Sequence, residues 1–229
     1  MYKTDLKIQG KINITNATQR TITVMGGKGT GKTTLIKMFI DLPEGFLVFD
    51  PLNVINFESE NLFRIGIKKD DSEKRIKDIA KIVNKFLGEK KKIILFLSEM
   101  VKDEIKDKME ILFPALNIKD CFVVFDEIHE FVPHFGGSVE IERFIRHCRN
   151  KNIGIIMSTQ RPASVATNVI ALTDYLILFR ITWKNDTKAV QEILQYKLDK
   201  DQQKNVIGKL QTYDFMEGYV VDFIENRKV

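Results

Sequence analysis

The stretch MGGKGTGKTT, Met25 to Thr34, packs four glycines, two lysines and three threonines into ten residues. Within it, Gly26 to Thr33 fits G-x-x-x-x-G-K-[ST], the phosphate-binding P-loop. Each residue type has a reason to be there. Glycines let backbone N–H groups curl around phosphate oxygens without Cβ clashes. A helix opening near Lys32 aims its positive N-terminus at the same oxygens. Lys32 can reach the β- and γ-phosphates, and the Thr33 hydroxyl can ligate Mg²⁺. Gly26, Gly27, Lys28, Gly29, Thr30, Gly31, Lys32, Thr33 and Thr34 are therefore the candidate nucleotide-binding residues. The competing reading is a Gly-rich turn with a chance Lys-Thr. Against it, Thr21 to Met25 reads as a short apolar strand and Thr33 to Ile40 as a helix, where the motif demands them.

Working outward, short apolar runs alternate with helical patterns. Gly45 to Phe49, Ile93 to Leu97, Phe122 to Phe125, Ile153 to Met157, Tyr175 to Ile181 and Tyr219 to Ile224 read as strands. Residues 72 to 87, Val101 to Leu116, Ile141 to Cys148 and Thr187 to Gln195 read as helices. Leu6, Ile8, Ile12 and Ile14 alternate with polar residues, as in a half-buried strand or hairpin. Continuous apolar strands interleaved with helices predict an α/β fold. The expected form is a three-layer P-loop NTPase, RecA/ASCE-like, with a mainly parallel sheet and helices on both faces. The chain reads as one domain over 1–229: an N-terminal β extension (1–19), an ATPase core (20–182) and a C-terminal helix and strand (183–229).

Composition narrows the class. The 229 residues are 44% apolar and 29% charged, an ordinary globular balance. No apolar run approaches the roughly 20 residues of a membrane helix, and MYKTDLKIQG lacks a signal-peptide core. Cys121 and Cys148 do not make a disulfide framework, which points to an intracellular setting. The net charge of +5 permits nucleic-acid binding and equally suits a solvated Lys/Glu surface.

Phe122-Val123-Val124-Phe125-Asp126-Glu127 is the second chemical signal. A buried strand delivers Asp126 to the carboxyl edge of the sheet, where open α/β sheets bind ligands. Asp126 is the candidate metal residue beside Thr33. Glu127 is the candidate base that orients and deprotonates water. The next strand ends in Ser158-Thr159-Gln160. Gln160 is the preferred γ-phosphate sensor over Ser158 and Thr159, with a plain polar strand end as the alternative. Other motifs fail. H-E-x-x-H would need His where Pro133 stands, and proline breaks the helix. Asn150-Lys151-Asn152-Ile153 lacks the Asp of a guanine-reading motif, and no Ser-Gly-Gly-Gln signature is present.

Taken together, DEIHEFVP (Asp126 to Pro133), IERFIRHCRNKNIGIIMSTQRP (Ile141 to Pro162) and DYLILFRIT (Asp174 to Thr182) resemble the HerA–FtsK superfamily of DNA-pumping ATPases. VFDPLN (Val48 to Asn53) and IILFLSEM (Ile93 to Met100) resemble its next two strands. The likeness covers about residues 20 to 182. The short length is most similar to genome-packaging ATPases of archaeal and membrane-containing icosahedral viruses. About 20 residues precede the P-loop strand, so the β-barrel of cellular HerA-type proteins is expected to be missing, as are the membrane segments and winged helix of FtsK.

The resemblance implies Mg²⁺-dependent ATP hydrolysis that drives double-stranded DNA into a capsid. It implies a homo-oligomer, a hexameric ring, with capsid, portal or membrane proteins as further partners and no membrane insertion. The setting implied is the host cytoplasm, extending to the virion. A ring of this kind needs a cation reaching the neighbour's γ-phosphate. Arg149 matches the family's position for it, Arg146 one turn earlier is the rival, and a surface salt bridge is the alternative for either. Arg180 matches another family arginine, for phosphate sensing or subunit contact. Pro133 to Ser138, PHFGGS, is the candidate DNA-contacting loop, with a plain surface loop as its alternative. Competing functions are a cellular or plasmid motor for repair or conjugation, a nucleotide-gated scaffold, and a small-molecule kinase, for which no acceptor pocket or arginine-rich lid is visible.

Overall fold

The structure, a computed structural model, describes residues 7–9, 20–40, 45–56, 61–214 and 217–224. The strand or hairpin expected over Leu6 to Ile14 lies outside these residues apart from Lys7–Gln9. Within them, a nine-stranded sheet runs in the order β1-β9-β8-β2-β7-β6-β3-β5-β4. The strands are β1 Lys7–Gln9, β2 Thr21–Met25, β3 Gly45–Asp50, β4 Leu62–Lys68, β5 Lys92–Ser98, β6 Cys121–Phe125, β7 Ile153–Thr159, β8 Tyr175–Leu178 and β9 Glu217–Asp222. The helices are α1 Lys32–Ile40, α2 Glu73–Gly88, α3 Lys102–Ala115, α4 Val139–His147, the single turn α5 Thr167–Ile170, α6 Lys184–Leu194 and α7 Lys200–Leu210.

From β8 to β4 every neighbouring pair is parallel. β9 joins β8 antiparallel, and β1 runs parallel to β9. Parallel pairing requires crossovers, and the helices between strands provide them. The expected P-loop NTPase fold is thus present, and β7 lies between the loop strand β2 and the acidic strand β6.

The apolar strands are continuous because both faces are covered. Leu47, Phe49, Val123, Phe125, Ile155 and Met157 face α2, α3, α4, α6 and α7. Phe46, Val48, Phe122, Val124 and Ile156 face the other way, toward Leu35, Ile36 and Phe39 of α1. Beneath the carboxyl edge, Phe49 stacks on Phe125 with ring centroids 5.0 Å apart, and Phe131 meets both edge-on. This packing fixes the ends of β3 and β6, from which Asp50 and Asp126 project. Cys121 and Cys148 are both buried. No helix among the described residues is long and apolar enough to cross a membrane.

Three elements depart from the sequence reading. β8 stops at Leu178 rather than Ile181, because the chain leaves the ladder and the Arg180 carbonyl takes up the Gly27 amide, 2.8 Å away. β4 and α7 were not expected. β4 is an edge strand with a single fully buried side chain, Ile67, so its apolar signal is weak. α7 buries only Gln203, Val206 and Leu210, too few for a strong helical period.

Candidate nucleotide-binding site

At the end of β2 the chain turns at once. A Cβ on Gly26 would lie 2.6 Å from Phe179 Cβ and 2.8 Å from Thr30 Oγ1, so only glycine fits. Gly29 and Gly31 take φ of 71° and 111°, in the left-handed region. The loop is tied down on two sides. Gly26 N donates to the Thr159 carbonyl at 3.2 Å and Gly27 N to the Arg180 carbonyl at 2.8 Å. Lys32 opens α1 and curls back over the loop. Its ammonium donates to the Gly26 and Gly27 carbonyls at 2.8 and 2.9 Å. Burial lowers its pKa, while Glu127 and then Asp126 work to raise it. Thr33 and Thr34 are half-buried in the first turn of α1, which carries no acidic residue to neutralise its positive end. Lys28 is exposed at the loop tip.

Across β7 stands the acidic pair. Asp126 N extends the ladder to the Phe49 carbonyl at 3.0 Å. Its carboxylate accepts from Ser158 Oγ. Glu127 has φ 48° and ψ 57°, a left-handed conformation that is costly for a residue with a Cβ. It is held there by its N–H donating to Ser158 Oγ at 3.3 Å and its Oε2 accepting from Gln160 N at 2.9 Å. Asp50 ends β3 wholly buried, and its carboxylate accepts from Val54 N and Ile55 N at 3.1 and 2.7 Å. Asp126 is pushed up to about 6, by burial first. The Ser158 hydrogen bond resists, Glu127 and Asp50 add to the rise, and Lys32 opposes it.

Asp126 and Glu127, both buried, act on the buried ammonium of Lys32, and the charge of buried Asp50 acts in turn on Asp126. That surplus of negative charge fits a divalent cation. Among the described residues no group of three or more His, Cys, Asp or Glu side chains could hold a metal by itself. An ion at Thr33 and Asp126 must then draw its other ligands from phosphate oxygens and water, as Mg²⁺ prefers.

The structure brings together the phosphate loop, Asp126, Glu127 and the end of β7. Gln160 enters through its backbone, and its side chain is half-buried. The arginines divide. Arg180 adjoins the phosphate loop through its carbonyl and is exposed. Arg146 lies exposed on α4, 3.4 Å from Glu142. Arg149 falls in the 3₁₀ turn Cys148–Lys151, whose last carbonyl accepts from Asp120 N at 3.1 Å, just below β6. Its side chain is outside the described residues. That turn sits at the amino edge of the sheet, roughly 17 Å of strand away from Asp126. Pro133 to Ser138 is anchored at its stem by a bridge from Pro133 to Val165, and Phe135 at its tip is 84% exposed.

Sequence reading missed the bridging role of Ser158, the capping role of Asp50, and His129. It also missed Arg161, whose guanidinium stacks 5.1 Å over the exposed Trp183 ring. The Ser-Thr-Gln strand end was a signal for Ser158, but only pairing of Phe125 with Met157 sets it beside Asp126. Two concavities, of about 390 Å³ between α3 and α4 and about 980 Å³ around α5 and α6, are not lined by the phosphate loop.

A P-loop on β2, an acidic pair on β6 and a polar strand end between them define a P-loop NTPase. The family model described as an AAA domain matches residues 15–164, and the chain belongs to that family. No curated protein matches. Among solved structures, the genome packaging NTPase B204 from Sulfolobus turreted icosahedral virus 2, in complex with ATP-gammaS, is similar in fold. It has a TM-score of 0.60 and 14% identity, covering 91% of this chain and 94% of that one. B204, the DNA-packaging ATPase from Sulfolobus turreted icosahedral virus, superposes with a TM-score of 0.55 at 17% identity, over 89% and 92% of the two chains.

Proposed function

We propose that the protein hydrolyses ATP with Mg²⁺ and uses the energy to move double-stranded DNA, as a genome-packaging motor. The observation that carries the hydrolytic part is the Asp126–Glu127 pair, held by Ser158 and Gln160 and directed at the same space as Lys32. Lys32 and the loop amides hold the phosphates. Thr33 and Asp126 would hold Mg²⁺, which when bound neutralises charge on the β- and γ-phosphates. Glu127 takes a proton from the attacking water, and the strand end at Gln160 reads the γ-phosphate. A pure nucleotide-gated scaffold has no use for a strained, buried carboxylate at that position.

The motor part rests on the fold shared with B204, described as a DNA-packaging ATPase. Arg149 and Arg146 support a ring. Both belong to the helix and turn that lead down to the amino edge of the sheet, so they cannot serve their own phosphate loop, but a neighbour's loop can dock against them. The DNA surface itself is proposed at the exposed Phe135 loop.

The test is the ATPase rate with and without double-stranded DNA at low and moderate salt. DNA should stimulate turnover, and the stimulation should fade as salt rises, because phosphate contacts release counterions. ATP turnover indifferent to DNA at every salt concentration would remove the translocase reading and leave an ATPase that answers to another partner.

A further inference from the structure

His129 is the one histidine in the nucleotide site, and neither the P-loop nor the acidic pair requires it. It is 6% exposed, on the short 3₁₀ turn Ile128–Glu130 that follows Glu127. Its ring is gripped at both nitrogens. Nε2 lies 3.1 Å from Glu130 Oε1. Nδ1 lies 3.0 Å from Thr159 Oγ1 and 3.3 Å from Glu127 Oε2. Thr159 is the residue whose carbonyl holds the Gly26 amide of the phosphate loop, and its hydroxyl already accepts from Arg161 N at 2.9 Å.

We propose that His129 is a positioning residue for Glu127, acting through Nδ1, with Glu130 in turn fixing the ring through Nε2. The proposal rests on the reading of Glu127 as the group that activates water. A carboxylate fixed by one hydrogen bond can still swing about that atom. Glu127 Oε2 takes its first bond from Gln160 N, and His129 Nδ1 supplies a second contact to the same oxygen from a different direction. With Oε2 held twice, the plane of the carboxylate is set and Oε1 is presented to the water.

The ring can serve in this way because it is itself immobile. Burial works against a charge on it, and the hydrogen bonds to Glu127 and Glu130 outweigh burial and raise its pKa, which suits a ring that donates at both nitrogens. Glu130 is anchored in turn, 3.8 Å from Lys102 on α3. A metal role is not available, since H-E-x-x-H is broken by Pro133 and no metal-binding cluster exists among the described residues.

The experiment separates the two ring nitrogens. An asparagine amide can take the place of Nδ1, and a glutamine amide reaches toward Nε2. His129→Gln should therefore lower kcat on the order of 10²-fold, the cost of misplacing a reacting group by about an ångström, while affinity for ATPγS by calorimetry stays within about twofold. His129→Asn should retain kcat within about tenfold of the parent. A pure space-filling role predicts the reverse order, since glutamine is closer in size to histidine. Equal losses in the two variants, or none in either, overturn the proposal. Should neither variant fold, the partly exposed Glu130 gives the same answer. Glu130→Gln keeps an acceptor for Nε2 and should be mild, whereas Glu130→Ala should lower kcat without changing ATPγS affinity. An unchanged kcat in Glu130→Ala also overturns it. Glu127→Gln serves as the control: if it retains turnover, the base reading of Glu127 falls whatever the His129 variants do.

Discussion

Asp126 shows how far a single side chain can be loaded by its surroundings. Its carboxyl binds a proton more tightly in the folded chain than free in water, with a pKa of about 6 against an ordinary 3.8. The contribution of this proton to folding is complete below about pH 4 and is lost as the pH rises through 6. At pH 8 the buried charge costs on the order of 2–3 kcal/mol. Asp126→Asn should therefore raise the Tm of the metal- and nucleotide-free protein by several degrees at pH 8 and leave it nearly unchanged at pH 4. A lower Tm at pH 8 would mean that the charged bond from Ser158 outweighs burial. On the proposed reading the same substitution should also cost turnover, because Asp126 would then help to hold Mg²⁺. The residues of this site that could be read from sequence were those in a fixed spacing: the phosphate loop and the acidic pair. Asp50 and His129 could not, and Ser158 stood out only as part of a polar strand end, because their roles arise from pairing and packing across strands far apart in sequence.

At the scale of elements, the sheet and most helices were legible because burial on both faces leaves apolar strands uninterrupted, as in FLVF and FVVF. β4, at the sheet edge, has no such run. α7 went unread although its start carries a local signal: Asp199 and Gln202 form a capping box, with Asp199 Oδ1 accepting from Gln202 N at 2.8 Å. The start of α4 is built in a similar manner. Ser138 Oγ accepts from Ile141 N at 3.3 Å and donates to Glu110 Oε1 on α3 at 2.7 Å. It is fully buried, so water cannot replace it. Ser138→Ala should cost about 1–2 kcal/mol, lowering the Tm by roughly 3–6 °C. A smaller fall, measured by calorimetry, would show that α4 is placed by its packing on α3 alone.

For the whole molecule, the decisive fact is that the phosphate loop and the Arg146–Arg149 segment occupy opposite edges of one sheet. On the proposed ring reading, each chain then offers one half of two different sites. Arg149→Ala should bind ATPγS normally and turn over ATP poorly. Mixed with Glu127→Gln, it should regain part of the activity, because some junctions pair an intact loop with an intact arginine. A mixture no more active than the sum of its parts would assign Arg149 a role within its own chain, and Arg180, beside the loop, would become the arginine to test.

The two cysteines carry a practical consequence. Cys121 begins the inner strand β6 and its thiol is pushed up to about 12 by burial. Cys148 is buried at the foot of α4. Burial shields both thiols, so their alkylation should wait on local opening around the start of β6 and the foot of α4. The native thiols are therefore a built-in clock for opening at the amino edge of the sheet and the foot of α4. A single cysteine added at the tip of the Phe135 loop would take a fluorescent label alone, and its motion could be followed during turnover in an otherwise unaltered protein.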